Sequence, residues 1–427
     1  MRTSRLPCAL IAFLLIALAS FHALADDAMP DVAPATTATD TGGADIPDIS
    51  LLTFGPGETY WERFGHNAIL VHDRQGDFAY NYGVFDFSEK NFFLNFARGH
   101  MSYRISADPV YLDLRFYNRE GRWIVSQHLD LTPTQRVQLR DFLLWNSQPE
   151  HTRYEYDYFA SNCSTRVRDA LDHVLGGAIR AQLEKQPTST TYRSEALRLI
   201  SPDRWLMLAM DIALGPTADR PLNLQQQSFV PMVFKDAIRS VQIADADGRL
   251  HALVDKERQI VPGRLPEAPV AAPDLRRPCF LLGLGLAAVL LRLTRQGAGR
   301  GTRSTGALLV AGLTLLCGFG GVILALLWAA TDHWAGWHNE NLLLFNPLCL
   351  LLLPAIWRLN RDREPGARSL LWAKLVAGGA TLALLPHLVP ALPWQNNLQW
   401  IALLLPAHIV IAFVFWQQNR RTVSAVL

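Results

Sequence analysis

From Pro278 onward the sequence is written for a different solvent than the residues before it. Five apolar runs, at about 279–295, 306–330, 342–357, 369–391 and 398–416, alternate with short loops. Runs near the ~20 residues that cross a bilayer as a helix leave few options besides a membrane bundle. The boundaries are soft, because some runs are shorter than that and the first carries Arg292. Charge sets the orientation. Arg295, Arg300 and Arg303 follow the first run, Arg358, Arg361, Arg363 and Arg368 the third, and Arg420 and Arg421 the fifth, whereas loops 331–341 and 392–397 have no Lys or Arg. Basic loops stay in the cytoplasm, so five spans carry an exported N-terminal half and an all-α membrane domain occupies 276–427. Eight of the twelve tryptophans lie after residue 300, at or near the span ends where indoles prefer the interface. The first half is expected on the exported side of the membrane.

The N-terminus agrees with export. Arg2 and Arg5, the apolar stretch Cys8 to Ala19 and the Ala23-Leu24-Ala25 break read as a secretory signal over 1–25. Residues 26–49, rich in Ala, Thr, Asp, Pro and Gly, read as a flexible linker. A charged fraction of 18% with a net charge of +2 argues against a disordered chain and gives no footprint for nucleic acid.

Between linker and membrane, residues 50–215 read as an α+β domain and 216–275 as an α/β connection. Ala68 to Val71 and Phe78 to Tyr82 are strand-like and flank Asp73-Arg74-Gln75-Gly76-Asp77, a hairpin signal. Trp123-Ile124-Val125, with Leu129 and Leu131, suggests another strand. Thr132 offers an N-cap, Pro133 fits the first helical position and Gln135 completes a capping box. A second helix starts near Ser161 to Thr165, presents Val167, Ala170, Leu171, Val174 and Leu175 as one stripe, and stops at Gly176-Gly177. Asp245-Ala246-Asp247-Gly248 reads as a hairpin turn, since a calcium loop would need further ligands.

Of five cysteines, Cys8, Cys279, Cys317 and Cys349 lie in apolar runs, which leaves Cys163 alone in the exported domain and without a disulfide partner there. A small buried hydrophobe is the ordinary fate of such a residue. Three features favour a nucleophile instead: an oxidising compartment, polar neighbours and a helix start. The helix start is expected to lower the thiol pKa toward ~3.5–7.5. A thiolate nucleophile needs a base and an orienting group. His66, in Phe64-Gly65-His66-Asn67, opens the first hairpin strand, and Asn81 on the returning strand is placed to hold its tautomer. A register slip of one would substitute Tyr80 or Tyr82. No zinc-type His pair, CxxC, P-loop or GxGxxG context occurs, so no metal or cofactor is expected.

The Phe-Gly-His66-Asn block, the Tyr80-Asn81-Tyr82-Gly83 run and Asn162-Cys163-Ser164-Thr165 resemble the Lnb-type N-terminal periplasmic domain, a family similar to circularly permuted papain-like enzymes of the NlpC/P60 and lecithin–retinol acyltransferase group. The resemblance implies a permuted papain-like fold in the periplasm, carried by a multi-pass protein of the bacterial inner membrane, and acyl transfer from a membrane phospholipid, through a Cys163 thioester, to the N-terminus of a lipoprotein. In the acyltransferase relatives a second His often stands where Asn81 is found. A cell-wall peptide hydrolase and a tethered binding module are the alternatives. The polar loop 331–341 carries His333, His338 and Asn341, expected with Asn162 to bind substrate at the membrane surface.

Overall fold

The computed structural model describes residues 46–245, 247–295, 297–361, 363–389 and 394–420; the expected signal segment lies outside them. The first strand begins at Asp48, so the sheet starts inside the stretch expected as linker.

Among the described residues the N-terminal half is built on a seven-stranded antiparallel sheet. Its strands are β1 (Asp48–Phe54), β2 (His66–Asp73), β3 (Gly76–Val84), β4 (Ser102–Pro109), β5 (Ile124–Leu129), β6 (Arg153–Glu155) and β9 (Val254–Val261), in the order β6-β4-β3-β2-β1-β5-β9; β7 (Gln242–Ala244) and β8 (Leu250–Ala252) form a separate hairpin. Helices of eight or more residues, with one of seven, are α1 (Phe92–Arg98), α2 (Val110–Arg119), α3 (Pro133–Asn146), α4 (Cys163–Val174), α5 (Tyr192–Ile200), α6 (Arg204–Ala213) and α7 (Pro231–Ile238). Strand alternation divides the core in two. Ile49, Leu51, Ile69, Val71 and Tyr82 face α3, α4 and α7, while Leu52, Phe54, Ala68 and Ala79 face α2. The hairpin closes with Asp73 opposite Gly76, the Thr132 capping box forms, and Gly176 and Gly177 take the positive φ that ends α4. Residues 216–275 are built into the domain: α7 packs against β1 and α4, and β9 pairs with β5.

Among the described residues the C-terminal half holds five segments long and apolar enough to cross a membrane: Arg276–Thr294, Arg300–Ala330, Glu340–Asn360, Ala367–Leu388 and Leu398–Asn419. We label the long helices α8 (Arg276–Thr294), α9 (Arg300–Ala330), α10 (Leu353–Asn360), α11 (Ala367–Leu382) and α12 (Leu398–Asn419). The third crossing is mostly 3-10 helix, Glu340–Leu343 and Pro347–Leu352, before it becomes α10. Its tight, thin backbone fits against Gly318 and Gly321 of α9, where a Cβ would collide with Leu350 and with the Phe345 carbonyl.

The two halves meet through buried polar groups. Arg193 of α5 pairs with Asp211 and Asp219 at 2.8 Å each, and Asp211 Oδ2 also accepts from Gln399 (2.6 Å) and Trp400 Nε1 (2.9 Å) at the start of α12. Asn339 donates to the carbonyls of Ile212 and Ala213, and Gln395 to that of Leu214, which satisfies the exposed end of α6. Both loops that lack Lys and Arg are therefore the ones on which the sheet domain sits. Removing one partner from a buried ion cluster strands the rest. Asp211→Ala is expected to cost about 3–5 kcal/mol, read as a lower thermal midpoint of the full chain in detergent, with Gln399→Ala costing less because Arg193 keeps its carboxylates.

Candidate active site

β1 ends where β2 begins, with Phe54 opposite His66, and this end of the sheet holds the candidate residues. His66 and Asn81 both point toward α2. The His66 Nε2 lies 2.9 Å from Asn81 Oδ1, and Asn81 Nδ2 donates to Asp113 of α2 at 2.8 Å. The carboxylate accepts only, so it fixes which way the Asn81 amide points. Asn81 must then accept from Nε2–H, which leaves Nδ1 as the ring's free acceptor. Of Tyr80, Asn81 and Tyr82, the register turns Asn81 to the His66 ring. The ring lies beside the stacked Phe54–Tyr117 pair, whose centroids are 3.9 Å apart, at 5.9 Å from the first and 6.2 Å from the second.

Asn67, next along β2, points to the opposite face. It donates to Thr53 Oγ1 (2.8 Å), and its Oδ1 accepts from Ser164 of α4 (2.9 Å), all three residues being fully buried. This pins the start of α4 to the strand that bears His66. The backbone N–H of Asn67 in turn donates to the Cys163 sulfur. Gly83 takes a φ of +97°, which L side chains rarely adopt, and a Cβ there would be in ordinary contact with its neighbours, 3.6 Å from the Cβ of Cys163 and 4.0 Å from the Tyr154 hydroxyl. That hydroxyl is buried and has no hydrogen-bond partner among the described residues.

The electrostatics differ from the sequence expectation. Burial pushes the Cys163 thiol up, to about 11, although the N–H groups of Asn67, Ser164 and Cys163 and the charge of Arg122 oppose the shift. Burial also lowers His66 to about 4, against the Asn81 hydrogen bond and with Arg122 acting in the same direction as burial. Burial outweighs the helix start, part of which Asn162 also occupies: its Oδ1 accepts from Ser164 N (2.9 Å) and Thr165 N (3.0 Å). At neutral pH the pair rests as thiol and imidazole. Arg122, nearly fully buried, donates to the Gly55 carbonyl and lies over Tyr117 at 4.4 Å. Asp113 is raised to about 6 by burial, against the Asn81 hydrogen bond. Asp113, Arg122, Tyr154, Asn67 and Ser164 are the participants that the sequence did not point to.

Two expected substrate-binding residues are corrected. Asn162 is a cap whose remaining donors go to the carbonyls of Tyr158 and Phe229, so no polar atom of its side chain is left for substrate. Asn341 is fully buried and bonds the Ile212 carbonyl and Asn397 at the domain junction. His333 instead donates to the Phe96 carbonyl and stacks on Tyr158, and His338 lies against Trp328 near the end of α9.

The Lnb N-terminal periplasmic domain matches residues 37–196 and the Lnb transmembrane domain matches residues 275–420. The chain belongs to the Lnb family. It is accordingly a multi-pass membrane protein whose α+β half is the Lnb periplasmic domain and whose five apolar segments form the Lnb transmembrane domain. No curated protein and no solved structure matches it.

A thiol reacts as its thiolate, and the thiolate fraction below the pKa rises tenfold per pH unit. With the thiol near 11, alkylation of Cys163 by a small soluble reagent should climb about tenfold per unit from pH 6 to 9, and Arg122→Met should slow it throughout. A plateau below pH 8 would show a low-pKa thiolate instead.

Proposed function

We propose that this Lnb-family protein is an inner-membrane thiol acyltransferase with a permuted papain-like periplasmic domain, its His strand preceding its Cys helix. It takes an acyl chain from a phospholipid and places it on the N-terminus of a lipoprotein. The observation that carries this reading is the His66–Asn81–Asp113 chain of hydrogen bonds at the strand end whose next amide, that of Asn67, touches the Cys163 sulfur.

As the Cys163 sulfur attacks the donor ester carbonyl, its proton passes to His66 Nδ1, a base kept neutral by burial. The ester C–O bond breaks, the departing lipid alcohol takes that proton, and a thioester remains on Cys163. The lipoprotein amine then attacks the thioester and gives a proton to His66. The C–S bond breaks, the amide leaves, and His66 returns the proton to sulfur. The Cys163 N–H, left over by the Asn162 cap, and the unpartnered Tyr154 hydroxyl, both on residues beside Gly83, serve as donors to the oxyanion. Asn81 holds the tautomer, and Asp113 holds Asn81. A neutral resting pair suits a lipid ester, because no ion pair has to form in the buried site before the acyl group arrives.

Mass spectrometry of lipoprotein N-termini in cells tests the reading. Cys163→Ala and His66→Ala should abolish the N-acyl mass, and Tyr154→Phe should lower the rate about 10²-fold, the order lost with one oxyanion donor. The acid limb of activity should fall near pH 4, where His66 protonates, rather than near 6.5. Unchanged N-termini in Cys163→Ala cells would overturn the proposal.

A further inference from the structure

Helix α1 and the loop before it are hard to account for as the surface of a water-soluble domain. Within α1 no residue is buried, yet Phe93, Leu94 and Phe96 are 39, 48 and 38% exposed, and Phe87 just before it is 40% exposed. A contiguous exposed apolar patch on a folded domain marks an interaction surface. Its position says with what. The Asp332 N–H donates to the Arg98 carbonyl at 2.8 Å, His333 Nε2 donates to the Phe96 carbonyl at 3.0 Å, and Gly99 packs against the Asp332–His333 backbone. Span helix α9 ends at Ala330, two residues before Asp332, and exposed Trp328 marks the same level. So α1 is fastened to the outer mouth of a membrane span, at bilayer-surface height. Exposed Lys90 and Arg98 bracket it, as basic residues flank helices that lie in an interface.

From this patch a run of rings leads inward. Phe92 faces Phe85 at 6.1 Å, Phe85 meets Tyr103 at 5.0 Å, and Tyr103 stacks on Tyr156 at 4.3 Å. Tyr156 is close enough to feel the charge of Cys163. The run of rings therefore leads from α1 toward the Cys163 end of the sheet.

We propose that α1 lies in the outer leaflet, with Phe93, Leu94 and Phe96 among phospholipid acyl chains, and that the adjoining rings give one such chain an apolar route to Cys163. The route's purpose rests on the acyltransferase reading; the placement of α1 does not.

The test uses the full chain reconstituted in phosphatidylethanolamine–phosphatidylglycerol vesicles doped with a phospholipid that carries a diazirine in its acyl chain. After illumination, peptide mass spectrometry should find label on residues 92–98 as well as on the spans. The triple variant F93Q/L94Q/F96Q should lose at least nine-tenths of the α1 label and slow lipoprotein N-acylation at least tenfold, with an unchanged thermal midpoint as the check on folding. Label confined to the spans, with α1 bare in the wild-type protein, would overturn the proposal. So would wild-type acylation by a correctly folded triple variant. If α1 is labelled in a protein that transfers no acyl group, the membrane placement stands and the acyltransferase reading fails.

Discussion

The short buried chain Thr53–Asn67–Ser164 fixes the relation between the two elements that matter most. A strand and a helix can slide along an apolar contact at little cost, since Ile69 and Val71 would meet Val167, Ala170 or Leu171 in several registers. A buried amide cannot slide. Displaced by one residue, Asn67 and Ser164 would each lose a partner in a place that water does not reach, at about 1–3 kcal/mol per group. Ser164 also lies 2.7 Å from the Ser228 carbonyl, so the loop before α7 is tied to the same point. Because Asn67 follows His66 and Ser164 follows Cys163, whatever locks the second pair in place aligns the first.

The same site shows how a general rule loses to local competition. A helix start stabilises a thiolate only through amides that remain free. Asn162 is among the best caps, and it claims the amides of Ser164 and Thr165. What remains for Cys163 is the Asn67 N–H, its own and a shared Ser164 N–H, and burial outweighs them. Burial acts on His66 in the complementary direction. The result is a matched neutral pair rather than an ion pair, and the sequence pattern alone argues the opposite.

What could be read from the chain was local. The Asp73–Asp77 hairpin, the Thr132 box, both ends of the Cys163 helix and the five apolar segments each depend on residues within a turn or a span of one another. His66 and Asn81 came within reach because a two-residue turn sets their register. Asp113, Arg122 and Tyr154 arrive from other elements, and nothing in their own neighbourhoods separates them from other surface-type residues. Strand β9 was hidden for a related reason: Val254–Val261 is an exposed, charged edge strand that carries little apolar alternation. Asn162 and Asn341 were misassigned because a polar residue at a helix start or in a membrane loop has two uses, and capping is the commoner one.

The junction explains why a soluble-looking domain needs this membrane partner. The carbonyls of Ile212 and Ala213 at the end of α6 receive donors from Asn339 and Asn341, and Gln395 joins Arg193 in donating to that of Leu214. Leu208 and Ile212 of the same helix pack into the apolar cluster that holds Leu344 and Trp400. Side-chain amides suit this place better than charges. They satisfy carbonyls at the edge of the bilayer without the desolvation cost of an ion, and the buried cation there, Arg193, is matched by two carboxylates. The absence of Lys and Arg from loops 331–341 and 392–397 thus has two consequences at once. It keeps those loops on the outer side, and it leaves them composed of the groups that hold the sheet domain, and Cys163 with it, at a set height over the membrane.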